Sequence, residues 1–401
     1  MSLPVSPATV GLALVSLWQA VQMGACVTAV HRARRRTTSA PGNAASPDRV
    51  TLFRPCRGAE RGLAERLART GGATHVVFAV ASAEDEAYSA VLEASEKLGT
   101  EGVEVACVLT SPEGPNMKVD QLGRALRATP PREAVLVVDS DVDLKGFPAL
   151  ELAGAVLDGP VGAVYAPASE TSSETFGDRA NLAVLTGSLH AFSLLAGIDP
   201  DGFVGKVFAV RREVLERTGG FEGLRTVLGE DVELGRRVRA QGEQTRVFRR
   251  GARAVGSGRS WDDTVARFAR WLGVVRASRP SLLLSYPLLI AGTLPSMLVA
   301  VALLPWITEP ASLRGLAVLT TLATVLSRAW VSHAARALAG VGGSWLDSLL
   351  DAPLSELVLL TALARALSRS TVSWRGTTLE VRRGEPLRLV GPPAENSKKD
   401  R

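Results

Sequence analysis

Leu136-Val137-Val138-Asp139-Ser140-Asp141-Val142-Asp143-Leu144 is the stretch that decides how this chain is read. An apolar run from Ala134 to Val138 predicts a buried strand, and it stops abruptly at carboxylates. In open α/β sheets, ligands bind at the carboxyl ends of strands. Asp139 and Asp141 stand two residues apart, so both can reach one hard divalent cation. Magnesium-like ions take one or two carboxylates plus substrate phosphates. The stretch is therefore a candidate metal–diphosphate site. An acidic turn with a solvated aspartate is the plainer reading of the same triplet.

Outward from this stretch, short apolar runs alternate with longer amphipathic ones. Strands are expected at Val50–Phe53, His75–Ala81, Val103–Leu109, Ala134–Asp139 and Gly162–Ala166. Helices are expected at Ala59–Thr70, Glu86–Leu98, Lys118–Ala128 and Phe147–Leu157. Such alternation predicts a mostly parallel sheet with helices on both faces. Further on, the pattern predicts helices at Gly177–Leu195 and Asp231–Gln241 and strands at Val207–Val210 and Gln244–Phe248. No internal repeat is visible.

The 401 residues are 46% hydrophobic, and mean hydropathy is +0.15, so membrane segments are expected. Val10 to Val30 is about the ~20 residues a spanning helix needs. Its leading flank lacks basic side chains, and its trailing flank is His31-Arg32-Ala33-Arg34-Arg35-Arg36. That charge order is the reverse of a cleaved signal peptide and predicts an anchor, with the following domain in the cytosol. An amphipathic surface helix is the other reading. Ser281 to Trp306 is the strongest later span, despite Pro287 and Pro295. Leu313 to Leu338 is weaker because Arg328, His333 and Arg336 interrupt it. Leu349 to Leu367 is interrupted by Asp351, Glu356 and Arg365. Charges inside a membrane are costly, so part of this region is expected to be re-entrant or interfacial. Arg369, Arg375, Arg382 and Arg383 prefer the cytosol, and Glu395 to Arg401 reads as a disordered tail.

The expected organisation is an anchor over 1–36, a linker over 37–48 and a catalytic domain over 49–260. An interfacial helix over 261–279, a transmembrane or re-entrant region over 280–368 and a basic tail over 369–401 follow. Cys26, Cys56 and Cys107 have neither metal-ligand spacing nor a disulfide framework. The net charge of +6 suits anionic lipid or a phosphate-bearing substrate. No nucleic-acid-binding signature is present, so nucleic acid is not an expected partner.

Four more features bear chemistry. Asp85, in Glu84-Asp85-Glu86 after a strand, can accept hydrogen bonds from a nucleotide, or be an acid favoured at a helix N-terminus. Asn116 and Lys118 open a helix after Gly114-Pro115 and suit phosphate or uracil contacts. Glu230 and Asp231 enter a helix from Gly229, and one can act as general base on a hydroxyl, or both can simply favour the helix start. Arg267, Arg270 and Trp271 lie on an amphipathic helix from Trp261 to Arg276. The two arginines can neutralise a diphosphate, and the helix can equally lie on a membrane surface.

The order Asp85, Asp139, Asp231, Arg267-x-x-Arg270-Trp271 resembles the D, D, D, (Q/R)xxRW signature of membrane glycosyltransferases with the GT-A fold. Within that group the chain is similar to the ceramide glucosyltransferase family and its bacterial relatives. Arg54-Pro55-Cys56-Arg57-Gly58 resembles the family's basic turn after the first strand. Asn116-x-Lys118 resembles its Asn-x-Lys element, and His190 falls where the family has a histidine linked to activity. The likeness runs from the anchor to Ser373-Trp374-Arg375-Gly376. The family often has Asp-Asp-Pro where this chain has Glu84-Asp85-Glu86, and Gly205-Lys206 receives no assignment.

The resemblance implies a GT-A, Rossmann-like α/β domain with N-terminal and C-terminal transmembrane helices. It implies inverting transfer of a hexose, glucose by analogy, from a UDP-sugar to a lipid hydroxyl, with ceramide the favoured acceptor. Asp85, Asn116, Lys118 and Glu230 would contact the nucleotide sugar. Asp139 and Asp141 would hold Mg2+ or Mn2+, and Asp231 would be the base. Arg267, Arg270 and Trp271 would serve the diphosphate and acceptor side, with His190 as an activity-linked or structural histidine. The implied location is a bacterial inner membrane, with the domain facing the cytosol. Competing readings are a transferase acting on a hopanoid or glycerolipid, a processive polysaccharide synthase, and a non-catalytic scaffold. The last predicts loss of an acidic site, and Asp85, Asp139 and Asp231 are all present.

Overall fold

The computed structural model describes residues 6–38, 43–170, 173–199, 201–227, 229–256, 258–285, 292–306, 311–368, 371–374, 377–380 and 388–389. The chain forms two compact units. One comprises Arg36–Ser172, Asp199–Ser257 and Arg369–Arg401, and the other Met1–Arg35, Ser173–Ile198 and Gly258–Ser368.

The first unit is built on a mixed sheet. Its strands begin with β1 (Val50–Cys56), β2 (His75–Val80), β3 (Glu104–Leu109) and β4 (Ala134–Val138). Then come β5 (Val142–Asp143), β6 (Val161–Tyr165), β7 (Ala168–Glu170), β8 (Val207–Arg211), β9 (Gln244–Val247) and β10 (Ala252–Ala254). The main sheet runs β3-β2-β1-β4-β8-β6-β9. β1 to β4 are mutually parallel, whereas β8 lies antiparallel between β4 and β6. β5, β10 and β7 form a smaller sheet.

β1, β2 and β4 are buried along their whole length, as strands covered by helices must be, and β1 carries Thr51 and Arg54 among its apolar residues. Leu52, Phe78 and Leu136 pack with Val91, Leu98 and Leu152 from the covering helices in one core cluster. The chain leaves β1 for β2 and β3, then returns to add β4 on the other side of β1. This reversal is a topological switch point, and it opens a crevice beyond the ends of β1 and β4 where ligands bind in such sheets. Asp139 follows β4 directly at that crevice.

The expected strands of this unit match within one or two residues where they end, except that β1 continues to Cys56. The expected helix Ala59–Thr70 is confined to Leu63–Leu67. Gly62 adopts φ 68°, a left-handed conformation that breaks the turn before it. The expected helix Gly177–Leu195 is split into Phe176–Gly187 and Leu195–Ile198. Ser188 is extended there, with its hydroxyl bonded back to the carbonyl of Val184 at 2.7 Å. Near the C-terminus, β11 (Thr371–Trp374), β12 (Thr377–Glu380) and β13 (Arg388–Leu389) form an antiparallel sheet. Arg369, Arg375, Gly376, Arg382, Arg383 and the segment 395–401 lie outside the described residues.

The second unit is helical. Pro7–Arg36 and Ala311–Ala339 are long and apolar enough to cross a membrane. The span expected at Ser281–Trp306 reads differently among the described residues. A 3-10 turn over Pro280–Ser285 precedes an apolar helix of 10 residues, Leu294–Leu303, with Pro295 in its first turn. Proline is tolerated there because that N–H has no partner within the helix. Residues 286–291, which include Pro287, lie outside the described residues.

The charges that weakened the last two expected spans are paired inside the unit. Arg328 and Glu356 meet at 3.0 Å with side chains 1% and 0% exposed. Glu356 also accepts from the backbone N–H of Leu294 at 2.7 Å and of Thr293 at 3.1 Å. Arg336 donates from Nε to Asp351 at 2.9 Å, and Arg179 reaches the other oxygen of Asp351 at 2.5 Å. His333 stacks on Trp345 with centroids 4.8 Å apart. Sequence alone makes these residues interruptions, whereas pairing lets the long helices carry them.

Removing one partner of a buried ion pair leaves an uncompensated charge, at a cost of about 3–5 kcal/mol. Glu356→Ala is expected to lower the thermal midpoint of the detergent-solubilised chain sharply. Arg328→Met combined with Glu356→Leu should recover most of the loss, because an apolar pair of similar volume removes both charges. Thermal unfolding of the three variants beside wild type checks this.

Candidate active site

The sheet unit holds seven of the expected residues, Asp85, Asn116, Lys118, Asp139, Asp141, Glu230 and Asp231. Asp139 follows β4, and its carboxylate meets Lys118 Nζ at 2.6 Å. Lys118 lies in the first turn of the helix Met117–Ala128. The same ammonium donates to the Gly205 carbonyl at 2.8 Å. The Gly205 N–H donates to Asp231 Oδ2 at 3.0 Å. A side chain on Gly205 would place its Cβ 3.0 Å from that of Asp231, so Asp231 would have to give way by a few tenths of an ångström. A continuous chain of polar contacts thus joins Asp139 to Asp231 through Lys118 and Gly205.

Asn116 ties the other flank. Its Oδ1 accepts from the Val119 N–H and caps the helix Met117–Ala128. Its Nδ2 donates to the Val227 carbonyl at 3.0 Å and to Glu230 Oε2 at 3.1 Å. Expected as a nucleotide contact, Asn116 is fully buried in the structure and bonded to the approach to the helix Glu230–Ala240. Lys118, Gly205, Glu230 and Asp231 also line a small pocket, closed on its apolar side by Phe208, Phe221 and Leu234.

Burial pushes the Asp231 carboxyl up to about 7, and the neighbouring charge of Glu230 adds to this. The Val232 and Gly205 N–H groups and Lys118 pull the other way. Burial works against the Lys118 charge too, but Asp139 and Glu230 outweigh it and hold its pKa above the ordinary value. A carboxyl poised near neutrality beside a pocket has the property a general base requires.

Asp141 pairs with Lys206, the residue just before β8. Register explains the meeting. β8 runs antiparallel to β4 with Val207 opposite Val138, and the Asp139 N–H donates to the Lys206 carbonyl at 2.9 Å. The sequence marks Gly205-Lys206 but gives the lysine no role. The signal was present as a lysine directly before a strand, but its antiparallel insertion was not legible.

The turn that carries the two aspartates is fixed from below. Arg54, with no exposed surface, donates to the carbonyls of Arg66 at 2.8 Å, Asp139 at 3.2 Å and Val142 at 2.6 Å. Arg66 donates from Nε to the Ser140 carbonyl at 3.3 Å. The Val255 N–H donates to the Asp141 carbonyl at 2.9 Å. These bonds leave the carboxylates, and not the backbone, as the groups presented by the turn. Two half-buried carboxylates with hard oxygen donors fit a divalent cation that shares its remaining positions with phosphate. Among the described residues no cluster of three or more His, Cys, Asp or Glu side chains forms a closed metal cage.

Asp85 Oδ1 accepts from the Gly58 N–H at 2.8 Å and the Ala87 N–H at 3.0 Å. It therefore joins the turn after β1 to the start of the helix Ala87–Thr100, at the ends of neighbouring parallel strands.

His190, Arg267, Arg270 and Trp271 belong to the helical unit. The helix Trp261–Ser278 opens with a capping box between Ser260 and Asp263. Trp271 stacks on Phe192 with centroids 5.2 Å apart and meets Phe268 edge-on at 5.0 Å. The Arg267 guanidinium lies 5.3 Å from the centre of the same ring. Trp271, expected on the diphosphate and acceptor side, thus packs against Phe192, Phe268 and Arg267 within its own unit. Burial, reinforced by the Arg328 charge, pushes His190 down to about 4, so its imidazole is neutral at pH 7.

Residues 14–387 match the family model described as glycosyl transferase family 21. The chain belongs to that family. Family 21 is the family of the ceramide glucosyltransferases, and its members are hexosyltransferase-type enzymes of the GT-A superfamily. No curated protein matches the chain. Among solved structures, the chain is similar to the mannosyltransferase PcManGT from Pyrobaculum calidifontis in complex with GDP-Man and Mn2+. That pair shares 18% identity over 89% of this chain and 99% of the other, with TM-score 0.48. Glucosyl-3-phosphoglycerate synthase from Mycobacterium tuberculosis, with Mn2+, UDP-glucose and phosphoglyceric acid, shares 18% identity over 60% and 85%, with TM-score 0.37. TarS from S. aureus shares 12% identity over 84% and 98%, with TM-score 0.37.

The raised Asp231 carboxyl has a consequence for stability. The fold favours its neutral form, so this group's contribution to native stability is greatest below the ordinary aspartate value. That contribution is lost as pH rises from about 4 through about 7. Asp231→Asn stays neutral throughout. The midpoint of the variant relative to wild type is therefore expected to rise across this window, as thermal melts at a series of pH values would show.

Proposed function

We propose that this chain transfers a hexose from a UDP-sugar to the hydroxyl of a membrane lipid with inversion at the anomeric carbon. The observation that carries this reading is the Asp231 carboxyl, poised near neutrality and linked through Gly205 and Lys118 to Asp139. Family 21 membership and two helices able to cross a membrane support a sugar-nucleotide enzyme working on a membrane-borne hydroxyl.

In this mechanism Asp231 takes the proton of the acceptor hydroxyl as that oxygen attacks the anomeric carbon. The bond from that carbon to the diphosphate oxygen breaks, and the leaving UDP keeps the electron pair. One displacement needs one base and no covalent nucleophile. Asp139 and Asp141 would hold a divalent cation, Mg2+ or Mn2+, which supplies charge neutralisation for the leaving diphosphate. Arg267 and Arg270 are assigned the same anionic group by the family signature, with Trp271 holding Arg267 in orientation. Asp85, with Glu230, is assigned to the nucleotide sugar. Asn116 serves by holding Glu230. His190 acts as a neutral imidazole.

The basic flank Arg32 to Arg36 supports a cytosolic catalytic domain. Glucose and ceramide are the pair that gives the family its name. The acceptor proposed is a lipid hydroxyl broadly, with hopanoid and glycerolipid acceptors beside ceramide.

Membranes containing the chain, supplied with labelled UDP-glucose or UDP-galactose and each lipid class in turn, test this. A labelled lipid that vanishes with EDTA is the expected outcome. Hydrolysis or transfer to no lipid under any condition would overturn the lipid reading. Asp231→Asn is expected to lower kcat at least about 100-fold, the scale of general-base catalysis. For wild type, activity should fall as pH drops through about 7, because protonated Asp231 accepts no proton.

A further inference from the structure

We infer that Lys206, together with Lys118, is a ligand for the donor's diphosphate, and that the two lysines make cation and sugar nucleotide bind as a unit. The inference rests on the donor reading above, in which Asp139 and Asp141 hold the cation. It begins from four charges at one strand end. Lys118 pairs with Asp139 at 2.6 Å, and Lys206 pairs with Asp141. The side chains are 16–26% exposed, so the pairs are poorly screened while remaining open to solvent on one side.

Lys206 is held there by backbone, not by chance of rotamer alone. Its carbonyl accepts from the Asp139 N–H at 2.9 Å, and the next residue begins the β4–β8 pairing. Arg54 adds a further positive charge beneath the turn, where Asp141 and Asp143 act on it. Asp143 is separately paired with Arg69 at 2.5 Å. The two aspartates are thus already neutralised by ammonium groups on the protein.

A divalent cation arriving by itself must compete with two lysines for these carboxylates and face their repulsion. A diphosphate arriving by itself meets lysines already committed to aspartates. When both arrive, the carboxylates turn to the cation, and the freed ammonium groups meet the phosphate oxygens. Every charge then has a partner of opposite sign. Each ligand therefore raises the affinity for the other, and the coupling is reciprocal. Lys206 is the lysine to test, because Lys118 also supports Gly205 and through it Asp231.

The experiment measures free Mn2+ by electron paramagnetic resonance in titrations of the detergent-solubilised full chain, with and without UDP. Wild type is expected to bind Mn2+ weakly alone and at least about tenfold more tightly with UDP, within the usual range of coupling. In Lys206→Met, Mn2+ alone should bind more tightly than to wild type, and the enhancement by UDP should shrink about tenfold. Lys206→Arg keeps the charge and should retain most of the enhancement. Wild-type coupling that survives unchanged in Lys206→Met would overturn this inference and leave the donor reading intact. If wild type binds Mn2+ neither alone nor with UDP, the donor reading itself falls, and the inference with it.

Discussion

The geometry of the site depends on a guanidinium with no access to water. Arg54 reaches under the turn after β4 and donates to the carbonyls of Asp139, Val142 and Arg66. Burying a charge is costly unless it is hydrogen-bonded, and here both terminal nitrogens donate to backbone carbonyls, two of them in the very turn that carries Asp139 and Asp141. The cost of burying the charge is visible in its pKa, pushed down to about 10 by desolvation. Because the backbone is fixed from below, the two carboxylates are held where they meet Lys118 and Lys206. Arg66 repeats the arrangement one step along, at Ser140.

From that turn the polar contacts extend in two directions. Lys118 and Gly205 lead to Asp231, and Asn116 leads to Glu230. Acid groups from the helix Glu230–Ala240 and from the end of β4 are therefore held in one network despite being far apart in sequence. Lys118 sits at the junction, bonded to a carboxylate on one side and a backbone carbonyl on the other. Its charge and that of Glu230 act on Asp231 in opposite senses, which leaves burial to set the outcome.

Much of this was legible in the residues. The apolar runs of β1, β2 and β4 have strand length and sharp ends, so period and length sufficed to place them. The acidic stops after β2 and β4 stood out because carboxylates do not belong in a buried run. What sequence did not reveal was long-range pairing. Lys206 acquires meaning only when β8 is laid antiparallel against β4, and nothing local to Val207–Arg211 states that direction. Asn116 read as a ligand because a helix start suits anions, yet its amide is committed to Val227 and Glu230. Likewise Arg328, Arg336, Asp351 and Glu356 looked like interruptions, since a one-dimensional hydropathy profile has no place for partners in separate helices.

The antiparallel placement of β8 has a wider effect. Between β7 and β8 the chain departs to contribute residues 173–198 to the helical unit. On its return, Lys206 is located by hydrogen bonds to Asp139 and by the β4 register, and not by the path taken to get there. The lysine and the aspartates therefore stay in register through strand pairing alone, while the intervening segment is held separately in the helical unit, where Arg179 pairs with the buried Asp351. Two parts of one chain, interleaved in sequence, are thus fixed by independent sets of contacts.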